Sequence, residues 1–436
     1  MLARIQECIL YRGFSNGEIL DDMTELINLY EADEEALKAR EDQFFKSVNG
    51  LVELAGMYGF SGNIWHTYLT FLLVNHENAF SMASEIRGAI KGSINDLAKN
   101  DFQIFKELYD FDITVFDKVF GTVCCRVICD YQTPDENSKL FNTRIRDRIC
   151  QMSKTLAAAT TTEEFMDDMV SFYKDFGVGK LGLHKAFRIG HDEEGKVEIQ
   201  PITRIAHVKI DDLVGYEIAK KKLIDNTEAF VQGRKANNCL LFGDAGTGKS
   251  SSIKGILNQY YDQGLRIIEA YKHQFQDLSA IIAQIKSRNY RFVIYMDDLS
   301  FEEFETEYKY LKAIIEGGLE VRPSNILIYA TSNRRHLINE TWKDRNDVTH
   351  NEGIYKSDTM QEKLSLVNRF GCTIYYGQPD QKEFYNIVVE LAHKAGIEMS
   401  DEELCAEAKK FELNHGGVSG RTAQQFINYI LGVRVA

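Results

Sequence analysis

The chain has 436 residues, 44% of them hydrophobic, which fills more than one packed core and excludes a peptide module or a disulfide-stapled miniprotein. Four prolines argue against a collagen-like or low-complexity chain, and eight cysteines without a secretory leader read as reduced thiols. Arg4 and Glu7 interrupt the start where a leader needs an apolar run, and no stretch approaches the roughly 20 apolar residues that cross a bilayer, so a soluble, cytoplasmic protein with no membrane partner is expected.

The formal charge of −14 is uneven. Residues 1–200 carry 21 Lys/Arg against 33 Asp/Glu, whereas residues 201–436 carry 30 against 32. The acidic front half disfavours adhesion to DNA or anionic membrane there and leaves a local basic groove open only in the back half.

In chain order, Ile19, Leu20, Met23, Leu26, Ile27 and Tyr30 recur at helical spacing, and the same period runs through 36–57, 64–74, 83–109, 113–129 and 137–156. Thr160 to Glu164 supplies a capping box before Phe165. Residues 1–175 are therefore expected to form an all-helical domain, whose aromatic stripes read as core. Cys124, Cys125, Cys129 and Cys150 lack paired metal-ligand spacing and read as thiols on an apolar helix.

Residues 176–207 are glycine-containing, with an alternating run from Val197 to Ile205, and are expected to be a linker with short strands. Gly177, Gly179 and Gly182 satisfy a dinucleotide-binding pattern, but they follow a helix instead of a strand, and Gly177 reads better as a helix C-cap. Beyond 208, strand-like runs at 239–242, 265–268, 292–296, 326–330 and 372–376 alternate with helical patterns, which implies a parallel α/β sheet over 208–379. Residues 380–436 return to helix and are expected to form a lid.

The strongest chemical signal is Gly243-Asp244-Ala245-Gly246-Thr247-Gly248-Lys249-Ser250, a full phosphate-loop pattern between a strand and the helix opening at Ser251. Glycines there let successive N–H groups converge on one point, and the helix N-terminus adds its dipole. Lys249 is expected to reach the β and γ phosphates of ATP and Ser250 to ligate Mg²⁺. The third strand ends in Asp297-Asp298, an acid pair at the carboxyl edge where such sheets bind ligand. Asp297 is expected to hold Mg²⁺ and Asp298 to polarise attacking water, with Glu302 or Glu303 as alternatives for that catalytic part.

The fourth strand ends in Thr331-Ser332-Asn333-Arg334-Arg335. Together with the phosphate loop and acid pair, this resembles the AAA+ ATPases from Leu213 to the end. The resemblance implies that Leu213 to Glu217, with Gly215 and Tyr216, meets the adenine, and that Asn333 is the polar sensor that orients water. It further implies that Arg369, in Leu364 to Gly371, is an arginine finger acting on a neighbouring subunit, and that Arg421, in Ser419 to Phe426, is a lid sensor reaching the γ-phosphate. Read alone, Arg369 is also compatible with a surface residue in a turn and Arg421 with a helix N-terminal residue covering the lid core, and Arg334 and Arg335 with a second trans contact, a nucleic-acid contact or a solvated pair.

More narrowly, Asp297 to Glu303, Leu311 to Leu319, Tyr329 to Leu337 and Glu362 to Ser365 are similar to the bacterial DUF815 ATP-binding proteins, and Phe176 to Phe187 extends the likeness. The expected function is an oligomeric ATPase that uses Mg-ATP hydrolysis between subunits to remodel a protein client held by the helical front domain. The alternatives are a nucleic-acid-associated ATPase resembling helicase loaders, and a nucleotide-dependent switch with little hydrolysis.

Overall fold

The computed structural model describes residues 4–89, 91–133, 143–203, 205–301, 307–316, 323–333 and 366–434. The chain divides into two compact units at His184/Lys185. Among the described residues no helix is long and apolar enough to cross a membrane.

The first unit is helical: α1 (Glu18–Ala32), α2 (Glu34–Lys38), α3 (Glu41–Tyr58), α4 (Ile64–Asn75), α5 (Ala79–Arg87), α6 (Ser93–Asp110), α7 (Val115–Val119), α8 (Cys124–Cys129), α9 (Thr143–Ala158), α10 (Thr162–Phe176) and α11 (Gly179–Leu183). The apolar helix α4 is buried along nearly its whole length and forms the centre of the unit, as a helix without a polar face must. Asp33, Asn63, Asn78 and Thr161 cap the helices that follow them with side-chain oxygens. The buried Asp101 carboxylate accepts the N–H groups of Ile9, Leu10 and Tyr11, and so ties the N-terminal segment to α6.

Three expected helices are each broken in two, the 36–57 run between α2 and α3 at Ala39 and Arg40. The 83–109 run divides between α5 and α6 because Gly88 (φ +73°) and Gly92 (φ +131°) adopt torsions closed to a helix, and 113–129 divides between α7 and α8 around Gly121 (φ +64°). Gly177 (φ +81°) closes α10 as its C-cap. A Cβ on Gly179 would meet Glu77, and one on Gly182 the backbone of Gly177, so this glycine cluster serves close packing.

The second unit carries a seven-stranded sheet, ordered β2-β1-β4-β5-β6-β3-β7. Its strands are β1 (Ala186–His191), β2 (Val197–Pro201), β3 (Cys239–Gly243), β4 (Leu265–Glu269), β5 (Arg291–Met296), β6 (Ile326–Ser332) and β7 (Cys372–Tyr376). All neighbouring pairs are parallel except β1 with β2. Over the expected linker 176–207, the first part is α10's cap and α11 of the first unit, and the second is a short hairpin that extends the sheet edge beside β4. The hairpin joins because Phe187 and Ile189 on β1 and Ile199 on β2 are apolar and buried, which a free linker would not allow.

Helices α12 (Glu217–Val231), α13 (Lys249–Tyr260), α14 (Leu278–Ile285) and α15 (Glu307–Glu316) accompany the sheet. One sheet core gathers Leu223, Leu241, Ile253, Ile256, Val293 and Tyr329. After Pro379, α16 (Gln381–Lys394), α17 (Asp401–Asn414) and α18 (Gly420–Arg434) pack around their own core of Phe384, Val388, Leu404, Ala423 and Phe426. Asp380 and Glu383 form a capping box that starts α16 immediately after β7.

Candidate functional site

The carboxyl ends of β3, β5 and β6 meet at a cavity of about 530 Å³. Its wall includes Gly246 to Ser252, Asp297, Asp298, Thr331 and Asn333 on the sheet side, Leu213, Val214 and Tyr216 before α12, and Ile387, Leu391, Arg421, Gln424 and Gln425 from α16 and α18.

The phosphate loop takes the shape its glycines permit. Gly243 (φ +137°), Gly246 (φ +76°) and Gly248 (φ +93°) all lie at positive φ. A Cβ on Gly243 would stand 2.0 Å from the Tyr376 carbonyl oxygen, and one on Gly246 would stand 2.9 Å from Arg421 Cβ. Lys249 begins α13, is 6% exposed, and donates through Nζ to the carbonyls of Gly243 (2.9 Å) and Asp244 (2.6 Å). Burial pushes the Lys249 ammonium below its usual range, against the pull of Asp244, Asp298 and Asp297.

Around Asp297 three hydroxyls converge on one oxygen. Ser250 Oγ (2.8 Å), Tyr295 Oη (2.7 Å) and Thr331 Oγ1 (2.6 Å) all donate to its Oδ1. Burial would raise this carboxyl, yet the three bonds outweigh it and hold the group below the usual carboxylate range. Ser250 and Asp297 present two hard oxygens of the kind that Mg²⁺ prefers, and their direct contact shows that one ion could touch both.

Asp298 sits in the left-handed region (φ +48°), unusual for a residue with a Cβ. Its N–H donates to Thr331 Oγ1 (3.0 Å), the next N–H, of Leu299, donates to the Thr331 carbonyl (2.7 Å), and Asn333 Nδ2 donates to Asp298 Oδ1 (2.8 Å). The second acid of the pair and the expected sensor are therefore in direct contact.

The other expected residues divide. Tyr216 (φ +59°) lines the cavity, lies 5.3 Å ring to ring from Tyr376, and donates to the Gly377 carbonyl (3.0 Å), whereas Gly215 (φ +80°) shapes the turn without lining the cavity. Thr247 and Ser251 line it. Gly243, Asp244 and Ala245 do not, the first two acting through the carbonyls that hold Lys249. Arg421 lines the cavity, with its N–H on the Gly246 carbonyl (3.1 Å). Arg369 is half-buried just before β7 and is not among the residues around this cavity. Arg334, Arg335, Glu302, Glu303, Leu364 and Ser365 lie outside the described residues.

Sequence reasoning missed Tyr295 and Thr331, and for Asp244, named as a phosphate-loop residue, it missed the tie beyond the loop. The first two stand two residues before Asp297 and Asn333, and a strand's period of two puts such residues on one face, so that signal was present. The Asp244 carboxylate accepts the Gln378 N–H (2.9 Å) and its own N–H donates to Tyr376 O (3.1 Å), which ties the loop to the segment leading into α16.

Outside the cavity, one grouping with metal-ligand spacing occurs among the described residues: Asp117 with Cys124 and Cys125. Asp117 accepts the N–H groups of Cys125 (2.9 Å) and Arg126 (3.0 Å) and so caps the start of α8. Cys125 is buried, whereas Val123 and Val127 face solvent, so the apolar stripe runs through Cys125 and Ile128 instead.

The model of a family described as a protein of unknown function (DUF815) matches residues 182–434. No curated protein matches the chain. Among solved structures, a RuvB mutant from Thermotoga maritima is 19% identical, aligned over 52% of this chain and 67% of its own with a TM-score of 0.36. A second RuvB variant from the same organism is 16% identical over 51% and 72%, with a TM-score of 0.32. A likeness of that extent says nothing about what this chain acts on. The match over 182–434, on a phosphate-loop α/β sheet followed by three packed helices, identifies the chain as a member of the DUF815 family.

Proposed function

We propose that this chain is a Mg²⁺-dependent ATPase that works as an assembly of copies and passes the movement of its lid to a protein client. The observation that carries the reading is the convergence of Lys249, the Ser250–Asp297 contact and the Asp298–Asn333 contact on one cavity. The N–H groups of the phosphate loop and the N-terminus of α13 would take the phosphate charge, and Lys249 would exchange its two carbonyl partners for phosphate oxygens. Mg²⁺ held by Ser250 and Asp297 would supply charge neutralisation at the β and γ phosphates. Asp298 would orient the attacking water and accept its proton, with Asn333 steadying the carboxylate.

Arg421, on the cavity wall and in a lid helix, supports a sensor role that links the γ-phosphate to lid position. The place of Arg369 away from its own chain's cavity supports action on a neighbouring copy. The excess of acid over base in residues 1–200 favours a protein client for the helical unit over nucleic acid. The test is Lys249→Ala with calorimetry and phosphate release: ATP binding should fall by at least about tenfold and turnover should vanish. Unchanged ATP affinity would refute this nucleotide site.

A further inference from the structure

We infer that Thr331 is a positioning residue that sets both acids of the site at once, one through each role of its hydroxyl. This rests on the ATPase reading above. Thr331 Oγ1 donates to Asp297 Oδ1 (2.6 Å) and accepts the N–H of Asp298 (3.0 Å), while its carbonyl accepts the N–H of Leu299 (2.7 Å). The register that pairs Met296 with Ala330 brings Thr331 opposite Asp297, so two parallel strands are joined by a side chain just where their ladder ends. Thr331 is 1% exposed, which leaves its hydroxyl these partners in place of water. Its β-branch restricts χ1, so the hydroxyl is presented in a fixed direction.

The consequence lies in Asp298. A non-glycine residue at φ +48° persists only where its surroundings over-determine it, and here the two successive N–H groups of Asp298 and Leu299 are both taken by Thr331. In that turn the Asp298 carboxylate accepts Asn333 Nδ2. On the Asp297 side, Ser250 also donates to Oδ1, and a metal ligated by Ser250 would draw that hydroxyl away, leaving Thr331 and Tyr295 to hold the carboxylate. Loss of the Thr331 hydroxyl would thus loosen the metal-side acid and the water-side acid together, though the residue itself performs no proton transfer.

The test uses the full chain with Thr331→Val, nearly isosteric but without the hydroxyl, Thr331→Ser, which keeps it, and Asp298→Asn alone and combined with Thr331→Val. Turnover, KM for ATP and the Mg²⁺ enhancement of ATP affinity are measured for each. Thr331→Val should lower kcat by about 10–100-fold and the Mg²⁺ enhancement of ATP affinity by about tenfold, with KM for Mg-ATP rising by a similar factor and ATP affinity without Mg²⁺ nearly unchanged, as expected for a partner that orients a ligand. Thr331→Ser should recover most of both losses. In the Asp298→Asn background, Thr331→Val should cost clearly less kcat than in the wild type, because the water-side acid it positions is already disabled, while the loss of Mg²⁺ enhancement through Asp297 should persist in full.

Wild-type values in Thr331→Val, equal losses in Thr331→Ser, or an undiminished effect on kcat in the Asp298→Asn background would each overturn the inference while leaving the ATPase reading intact. If Thr331→Val melts early, Thr331→Ala against Thr331→Ser makes the same comparison. Failure of the wild type to bind ATP would overturn the ATPase reading and this inference with it; binding without turnover leaves the Mg²⁺ enhancement to decide.

Discussion

Asn333 donates through Nδ2 to Oδ1 of Asp298 across 2.8 Å and so joins the end of β6 to the turn after β5. The bond separates the two acids by task, because Asp297 accepts hydroxyls from Ser250, Tyr295 and Thr331 while Asp298 accepts an amide beside the cavity.

Asp298→Asn should therefore keep ATP and lose turnover by about 10²–10⁴, the range of a general base. Asn333→Ala should lower turnover by about 10–100-fold, since Asp298 stays charged but loses its partner. Asp297→Ala should fail differently, through loss of the Mg²⁺ enhancement of ATP affinity. Phosphate release and calorimetry at several Mg²⁺ concentrations distinguish the three, and equal mild losses would contradict the division of labour.

Arg369→Ala should bind ATP almost normally and hydrolyse it about 10³-fold more slowly, as for a finger that meets charge developing in transfer. Mixing it with Lys249→Ala should restore part of the activity, because an intact phosphate loop of one copy can then face an intact arginine of another. Specific activity of the wild type should also rise with protein concentration. A concentration-independent rate with no rescue on mixing would favour the nucleotide switch.

Gly243→Ala should destabilise the second unit by at least about 3 kcal/mol, since it combines a strained φ with a backbone clash. The φ is +137° and the added Cβ would lie 2.0 Å from Tyr376 O, which cannot move without breaking the β3–β7 ladder. Gly248→Ala, at φ +93° with open space around its Cβ, should cost less. Denaturant midpoints followed by circular dichroism check the order.

Cys372 faces Cys239 across the β3–β7 ladder, and the hydrogen bond from Cys239 lowers its thiol to about 7, with burial opposing and Lys222 adding a smaller pull. Cys239 is itself pushed up by burial and stays a thiol. Thiolate reacts and thiol does not, so alkylation of Cys372 should rise with pH through about 7 and level off above it. Cys239→Ala should move that midpoint up toward the ordinary ~8.5. Timed iodoacetamide labelling read by mass spectrometry tests this, and a midpoint unchanged by Cys239→Ala would refute the assigned cause.

Periodicity and local motif carried the helical front unit, the five parallel strands and the phosphate loop, because these depend on neighbours within a few residues: apolar spacing, capping side chains, and glycines where N–H groups must converge. Asp297 and Asn333 were legible for the same reason, each following directly on an apolar strand. Helix breaks at Gly88, Gly92 and Gly121 were not, since a glycine inside a periodic run is tolerated in many helices and only its torsion decides. The place of β1 and β2 was not either: a short alternating hairpin reads alike whether free or paired, and it is the pairing of Ala186, Phe187 and Arg188 with β4, far along the chain, that makes it part of the sheet. Most of all, folding alone brought the Thr331 hydroxyl between Asp297 and Asp298, and the Asp244 carboxylate onto Gln378. Those contacts join residues 33 to 134 positions apart, and a hydrogen bond over such a span follows from strand order and register, which no local pattern encodes.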